Sequence, residues 1–207
     1  MNWKIIYENE DILVIDKPAG INSDDFKKRV HRLDKDTSGV LLIAKDEETL
    51  NFLQKQFKER KVEKKYSALV VGNLKNDQGE IETLLGRSPA DKTKQKVYLL
   101  NEPNSQGKRT AKTSYRLLQR FENYDLIEVE PKTGRKHQIR AHFAYLGHPI
   151  AGDKKYGFKN QPVPQGLKRH FLHASYLNIT LPNGRKKEFK SELPDDFKLC
   201  LQKLKTS

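Results

Sequence analysis

Apolar residues fall along this chain in short runs separated by polar and turn-forming positions, a pattern that predicts strands more often than helices. Such runs cover residues 12–15, 40–44, 66–71, 110–118, 126–130, 176–181 and 185–190, most of them bounded by Gly, Pro, Asn or Asp. Three stretches carry helical spacing instead. Over 47–60, Leu50, Leu53 and Phe57 share a face, with Asp46 placed to cap the amino end. Over 138–146, Ile139, Phe143 and Leu146 form the stripe and Gly147 the stop, and a third helix runs from about 195 to 204. The expected class is α+β: a large, mostly antiparallel mixed sheet flanked by helices. Residues 87–109 and 154–169, rich in Lys, Arg, Gly, Pro and Asn, read as surface loops.

Composition narrows this picture. The 207 residues fit a single domain spanning 1–207, long enough to bury a core. Charged residues make up 32% and the net charge is +13, so the first partner to consider is a polyanion, either nucleic acid or an anionic membrane surface. The membrane is the weaker option, because no apolar stretch approaches bilayer-spanning length and the opening MNWKIIYENED lacks the apolar core of a secretory signal. A cytoplasmic protein is expected. The sole cysteine, Cys200, cannot form an intrachain disulfide and lies at helical spacing from Phe197, Leu201 and Leu204, which reads as core.

Two segments concentrate polar chemistry. The first, residues 31–39, reads His-Arg-Leu-Asp-Lys-Asp-Thr-Ser-Gly and leads into the apolar run 40–44. Asp34 to Gly39 alone could be a tight turn bonded to its own amides, but a turn has no need of His31 and Arg32. The second opens with the turn Thr133-Gly134 and starts a helix bearing Arg135, His137, Gln138 and Arg140, cationic donors at a positive helix end suited to a carboxylate or phosphate. Its histidines invite a zinc reading, which their spacing rejects. His137 and His142 are five apart, off the i, i+4 spacing of a helical metal pair, and no HExxH or cysteine pair accompanies them.

Together, HRLDKDTSGVLLIAK and TGRKHQIRAHFAYLGHPIAGD resemble the two signature segments of the RluA-type ribosomal and transfer RNA pseudouridine synthases. Asp16 to Gly20 (DKPAG), Lys65 to Gly72 (KYSALVVG) and Gly107 to Thr113 (GKRTAKT) fit the same family in the same order, so the resemblance covers about residues 8–181. It implies the pseudouridine synthase catalytic fold with an active-site cleft, and an isomerase of uridine in folded rRNA or tRNA that needs no cofactor or metal and acts as a monomer. Asp34 would be the catalytic carboxylate, either as nucleophile or as the base that starts an elimination at the ribose. By the same resemblance Arg140 pairs with that aspartate, Tyr66 packs against the target base, and Ile139 lines the uracil pocket. Arg32 would fill the space of the flipped uridine, with His31, Lys17, Arg135 and His137 also turned toward RNA.

One departure stands out. Only residues 21–30 separate Gly20 from His31, where the family usually has a longer stretch, so the RNA-facing rim there is expected to be trimmed. No separate amino-terminal RNA-binding domain is expected either. Two other readings compete: a noncatalytic RNA-binding protein or chaperone, for which an aspartate facing a polyanion has no purpose, and a metal-dependent nuclease using Asp34, Asp36 and Asp153, which lacks a metal-binding pattern.

Overall fold

The computed structural model describes residues 3–102 and 104–205; Met1 and Asn2 of the opening segment and Pro103 of the first basic loop lie outside the described residues. The elements in order are β1 (Lys4–Glu8), β2 (Ile12–Lys17), a short 3-10 turn (Ser23–Asp25), β3 (Ser38–Ala44), α1 (Glu47–Lys58), β4 (Glu63–Val71) and β5 (Gln78–Arg87). They continue with β6 (Gln95–Tyr98), β7 (Arg109–Arg120), β8 (Tyr124–Pro131), α2 (Gln138–Tyr145), β9 (Leu172–Thr180), β10 (Lys186–Lys190) and α3 (Asp195–Lys205). The chain divides into two compact units, Met1–Tyr66 with Leu172–Pro194, and Ser67–Phe171 with Asp195–Ser207.

In the first unit the strand order is β1-β2-β3-β9, with β10 on β9, and every pairing is antiparallel except β3 with β9. All of β3 is buried, and its apolar run is continuous because both of its faces are covered. Val40, Leu42 and Ala44 join Ile12, Val14, Leu177, Ile179 and Phe189 on one side, where α1 adds Leu53. Leu41 and Ile43 join Ile15 and Phe26 on the other. Asp46 caps α1 by accepting from the Thr49 amide at 2.7 Å, which starts the helix where its apolar stripe meets the sheet. Leu53 at 0% exposure contributes about 1.5–3 kcal/mol through burial.

In the second unit β8, β7, β5 and β6 follow one another as antiparallel neighbours, with β4 next to β8. Leu85, Val97, Ala111 and Ala141 pack together, placing α2 over β5, β6 and β7. Phe171 and Phe197 stack at 3.8 Å, and Cys200 is buried one turn further along α3.

The α+β class and the mixed, mostly antiparallel sheet are as the pattern predicts, and three strands are added to it. β1, β5 and β6 were absent from the expected set, and β6 lies inside residues 87–109, where only loop was expected. Val97 and Tyr98 are buried there, so that part of the basic stretch is sheet. Residues 154–169 hold no helix or strand.

Candidate active site

Asp34 sits in the turn that feeds β3, half-buried, and its main chain is held on both sides. The Ser23 hydroxyl donates to the Leu33 carbonyl at 2.9 Å and accepts from the Leu33 amide at 3.0 Å. The Lys35 carbonyl accepts from the Gly20 amide at 2.9 Å and from the Lys17 ammonium at 3.1 Å, and the Asp34 carbonyl accepts from the Thr37 amide at 3.0 Å. Gly39 then lets the turn enter the sheet: its φ is +115°, and a Cβ there would stand 2.2 Å from the Ala174 carbonyl oxygen of β9.

Tyr66, near the middle of β4, is half-buried. Its phenol is pushed well above the ordinary value of 10.0, first by burial and second by the negative charge of Asp34, so it stays protonated. Arg32 is exposed and lies 3.6 Å from Asp24, itself exposed. Such a pair is worth about 0–1 kcal/mol, so Arg32 can exchange Asp24 for a phosphate at small cost.

Two residues expected to face RNA are turned inward. Lys17 is 0% exposed, and its ammonium donates to the carbonyls of Pro18 at 2.8 Å, Ile21 at 2.9 Å and Lys35. A charge placed so deep cannot reach a phosphate; its hydrogen bonds to carbonyls offset the cost of burying it. His31 stacks on Phe57 at 5.0 Å, and its Nε2 accepts the Leu42 amide at 3.2 Å. Burial, and then the Lys64 charge, lower its pKa to about 3, so it is a neutral packing residue.

On α2, Gln138 organises the turn before the helix. Its Oε1 accepts from the Thr133 hydroxyl at 2.7 Å and the Arg135 amide at 2.9 Å, while its Nε2 donates to the Lys112 carbonyl and the Thr113 hydroxyl, both at 2.9 Å. Arg140, 7% exposed, donates through Nε and Nη2 to the two oxygens of Asp153 at 2.6 and 2.8 Å and lies 5.1 Å from the Tyr156 ring centre. Asp153 also accepts from the Lys155 and Tyr156 amides at 2.9 and 3.0 Å. Burial raises the Asp153 carboxyl, but the Arg140 bonds and charge and the two amides outweigh it, leaving the pKa below 3.8. Gly152 makes this turn possible, since at φ +75° a Cβ would meet the Arg169 carbonyl oxygen at 2.5 Å.

Ile139 is buried, and Arg135 is half-buried with its Nε on the Thr110 carbonyl at 3.0 Å. His137 begins the helix at φ +53°, a left-handed conformation rare outside glycine, and its Nδ1 lies 2.9 Å from the Tyr156 hydroxyl. His142 sits between the Thr83 and Thr113 hydroxyls at 3.1 and 2.9 Å, and His148 bonds the Val71 carbonyl at 2.9 Å, so the histidines serve separate partners. Asp153, considered for a metal only, is the residue that seats Arg140. Asp34, Tyr66, Arg32, His31 and Lys17 belong to the first unit, and Arg135, His137, Ile139 and Arg140 to the second.

His31 and His142 set an acid limit to stability. Burial lowers His142 to about 4 and His31 to about 3, against 6.5 for a free ring. Both folded values are depressed, so the stability tied to these neutral rings is fully present above pH 6.5 and is lost as pH falls toward the folded values. The denaturant midpoint is therefore expected to drop between pH 7 and pH 4.5. A flat profile over that window would mean that both rings accept protons in the folded chain.

Comparisons with known proteins agree with the family that the motifs resemble. The family described as RNA pseudouridylate synthase matches residues 25–145. A Chloroflexus aurantiacus protein described as an uncharacterized RNA pseudouridine synthase is 42% identical over 84% of this chain, which spans 52% of that relative's length. Ribosomal large subunit pseudouridine synthase D of Borreliella burgdorferi is 39% identical over 95% of this chain and 67% of its own. Human RNA pseudouridylate synthase domain containing 4 superimposes with a TM-score of 0.79 at 26% identity, covering 98% of this chain and 93% of that one. The chain belongs to the RNA pseudouridylate synthase family, isomerases that act on uridine in RNA. No helix among the described residues is long and apolar enough to cross a membrane.

Proposed function

We propose that this chain converts uridine to pseudouridine in large-subunit ribosomal RNA, with Asp34 as the catalytic carboxylate. The observation that carries the reading is the seating of Asp34: half-buried in the turn before β3, with the main chain bonded at Leu33, Asp34 and Lys35, it is a fixed carboxylate at the position the family motif gives it. The isomerisation breaks the carbon–nitrogen glycosidic bond, turns the uracil and joins its carbon to the same ribose. Asp34 would act at the ribose, as nucleophile or as base, while the Tyr66 ring holds the detached uracil by stacking, worth about 1–3 kcal/mol per base. Arg140, held by both oxygens of Asp153, is the cation that the resemblance assigns to the reaction. Arg32, exposed and weakly paired, is suited to enter the stack the uridine leaves. Ribosomal RNA is favoured over transfer RNA because the Borreliella burgdorferi relative is described as a ribosomal large subunit enzyme.

The test is to incubate the purified chain, in EDTA and without added cofactor, with unmodified transcripts of large-subunit RNA, small-subunit RNA and transfer RNA, and to map pseudouridine chemically. The expected result is pseudouridine in the large-subunit transcript. Modification confined to transfer RNA would overturn the substrate class, and binding without any pseudouridine would return the chain to the noncatalytic reading. With a net charge of +13 the affinity should also fall steeply with salt.

A further inference from the structure

The short segment between Gly20 and His31 does more than shorten a rim. Phe26, 8% exposed, packs with Ile15, Leu41 and Ile43 on the sheet and meets Trp3 edge-on at 5.1 Å, so the segment is anchored against β2 and β3. That anchor places the Ser23–Asp25 turn beside the loop that bears Asp34. Ser23 is 3% exposed, and its one hydroxyl bonds both the amide and the carbonyl of Leu33. On the far side of Asp34, the Lys35 carbonyl is held by the Gly20 amide and by the Lys17 ammonium. That ammonium also binds the Pro18 and Ile21 carbonyls, joining the end of β2, the start of the short segment and the Asp34 loop at one point.

We infer that Ser23 is a positioning residue for the catalytic carboxylate: beside the buried Lys17, it fixes the peptide unit that leads into Asp34 and so sets where the Asp34 oxygens stand relative to the ribose. The inference rests on the reading of Asp34 as the catalytic residue. Each device is of the kind that holds geometry. A hydroxyl that donates and accepts with a single residue defines that residue's plane, and a buried ammonium bonded to three carbonyls cannot shift without leaving polar groups unpaired. The neighbouring Thr37-to-Asp34 bond completes the set, so the main chain is bonded at Leu33, Asp34 and Lys35 in turn. Reaction rates are sensitive to such placement, since a misplacement of about 1 Å can cost on the order of a hundredfold. In this chain, segment 21–30 therefore serves the chemistry through the backbone, whatever it contributes to RNA contact.

The test compares wild type, Ser23→Ala, Ser23→Thr, Lys17→Met and Asp34→Asn in single-turnover reactions at saturating enzyme. RNA affinity is measured in parallel, and every assay is run at a temperature where circular dichroism shows the variant folded. Ser23→Ala is expected to lower the rate constant about ten- to a hundredfold with RNA affinity unchanged within twofold, and Ser23→Thr, which keeps the hydroxyl, to recover most of it. Lys17→Met, which keeps the stem and removes the ammonium, should act in the same direction and carries the test if Ser23→Ala does not fold. A Ser23→Ala rate equal to wild type overturns the inference. So does a rate loss matched by an equal loss of affinity, which would make the segment an RNA contact. Full activity in Asp34→Asn would overturn the catalytic reading itself, and the two failures are told apart by which variant stays active.

Discussion

Replacing Asp34 by asparagine is expected to lower pseudouridine formation by about a thousandfold or more while leaving folding and RNA affinity nearly intact. The substitution changes little besides charge. The bonds that hold this turn run to the main chain at Leu33, Asp34 and Lys35, and asparagine keeps all of them. What it removes is the ionised oxygen that either chemical route requires. Substantial residual turnover would exclude Asp34 as the catalytic group.

The second large effect is expected at Asp153. Asp153→Ala should destabilise the chain by about 3–5 kcal/mol in urea or guanidinium unfolding, and should remove most turnover even where the variant is folded. Both members of the pair are buried, at 8% and 0% side-chain exposure, so deleting the carboxylate takes a two-oxygen ionic partner from a buried guanidinium. The Lys155 and Tyr156 amides lose their acceptor as well. Arg140→Met should cost less stability, because the apolar stem remains and Asp153 keeps those two amides. The folded Asp153 pKa is depressed below 3.8, so its contribution is present above that value and is lost as pH falls through the lowered one. The variant should therefore lose part of the acid limb of the stability profile below pH 3.8. A loss of less than about 1 kcal/mol would mean that Arg140 is held chiefly by other groups.

Much of the sheet was legible because burial writes itself into the pattern. β3, covered on both faces, is an unbroken apolar run, and α1 has its cap and stripe in plain sight. β5 alternates as well, with Ile81, Thr83 and Leu85 pointing inward at every second position, but Thr83 and the intervening glutamates dilute the apolar signal. β1 and β6 are short, and Ile5 is exposed, so neither carries much periodicity. The site was legible where chemistry is concentrated, in the Asp34 turn and the first turn of α2. Partnership was not, because a lysine or histidine in a motif looks the same whether it faces RNA or its own backbone. For that reason the motifs alone point Lys17 and His31 outward, whereas both bond the chain's own backbone. Ser23 had no signal at all, being an ordinary serine in a polar stretch until Phe26 fixes where that stretch lies.

The interior of α3 has a practical consequence for studying this protein in solution. Cys200 is 2% exposed, and burial, followed by the charge of Asp196, raises its thiol to about 11. Thiolate is the reactive form, so at neutral pH this sulfur is both chemically quiet and out of reach of a maleimide. The chain has only that one cysteine, so it can serve unaltered as a background for site-specific labelling. Leu100→Cys, at a position 72% exposed, would supply a unique handle for a fluorophore and allow RNA encounter to be followed by a change in emission.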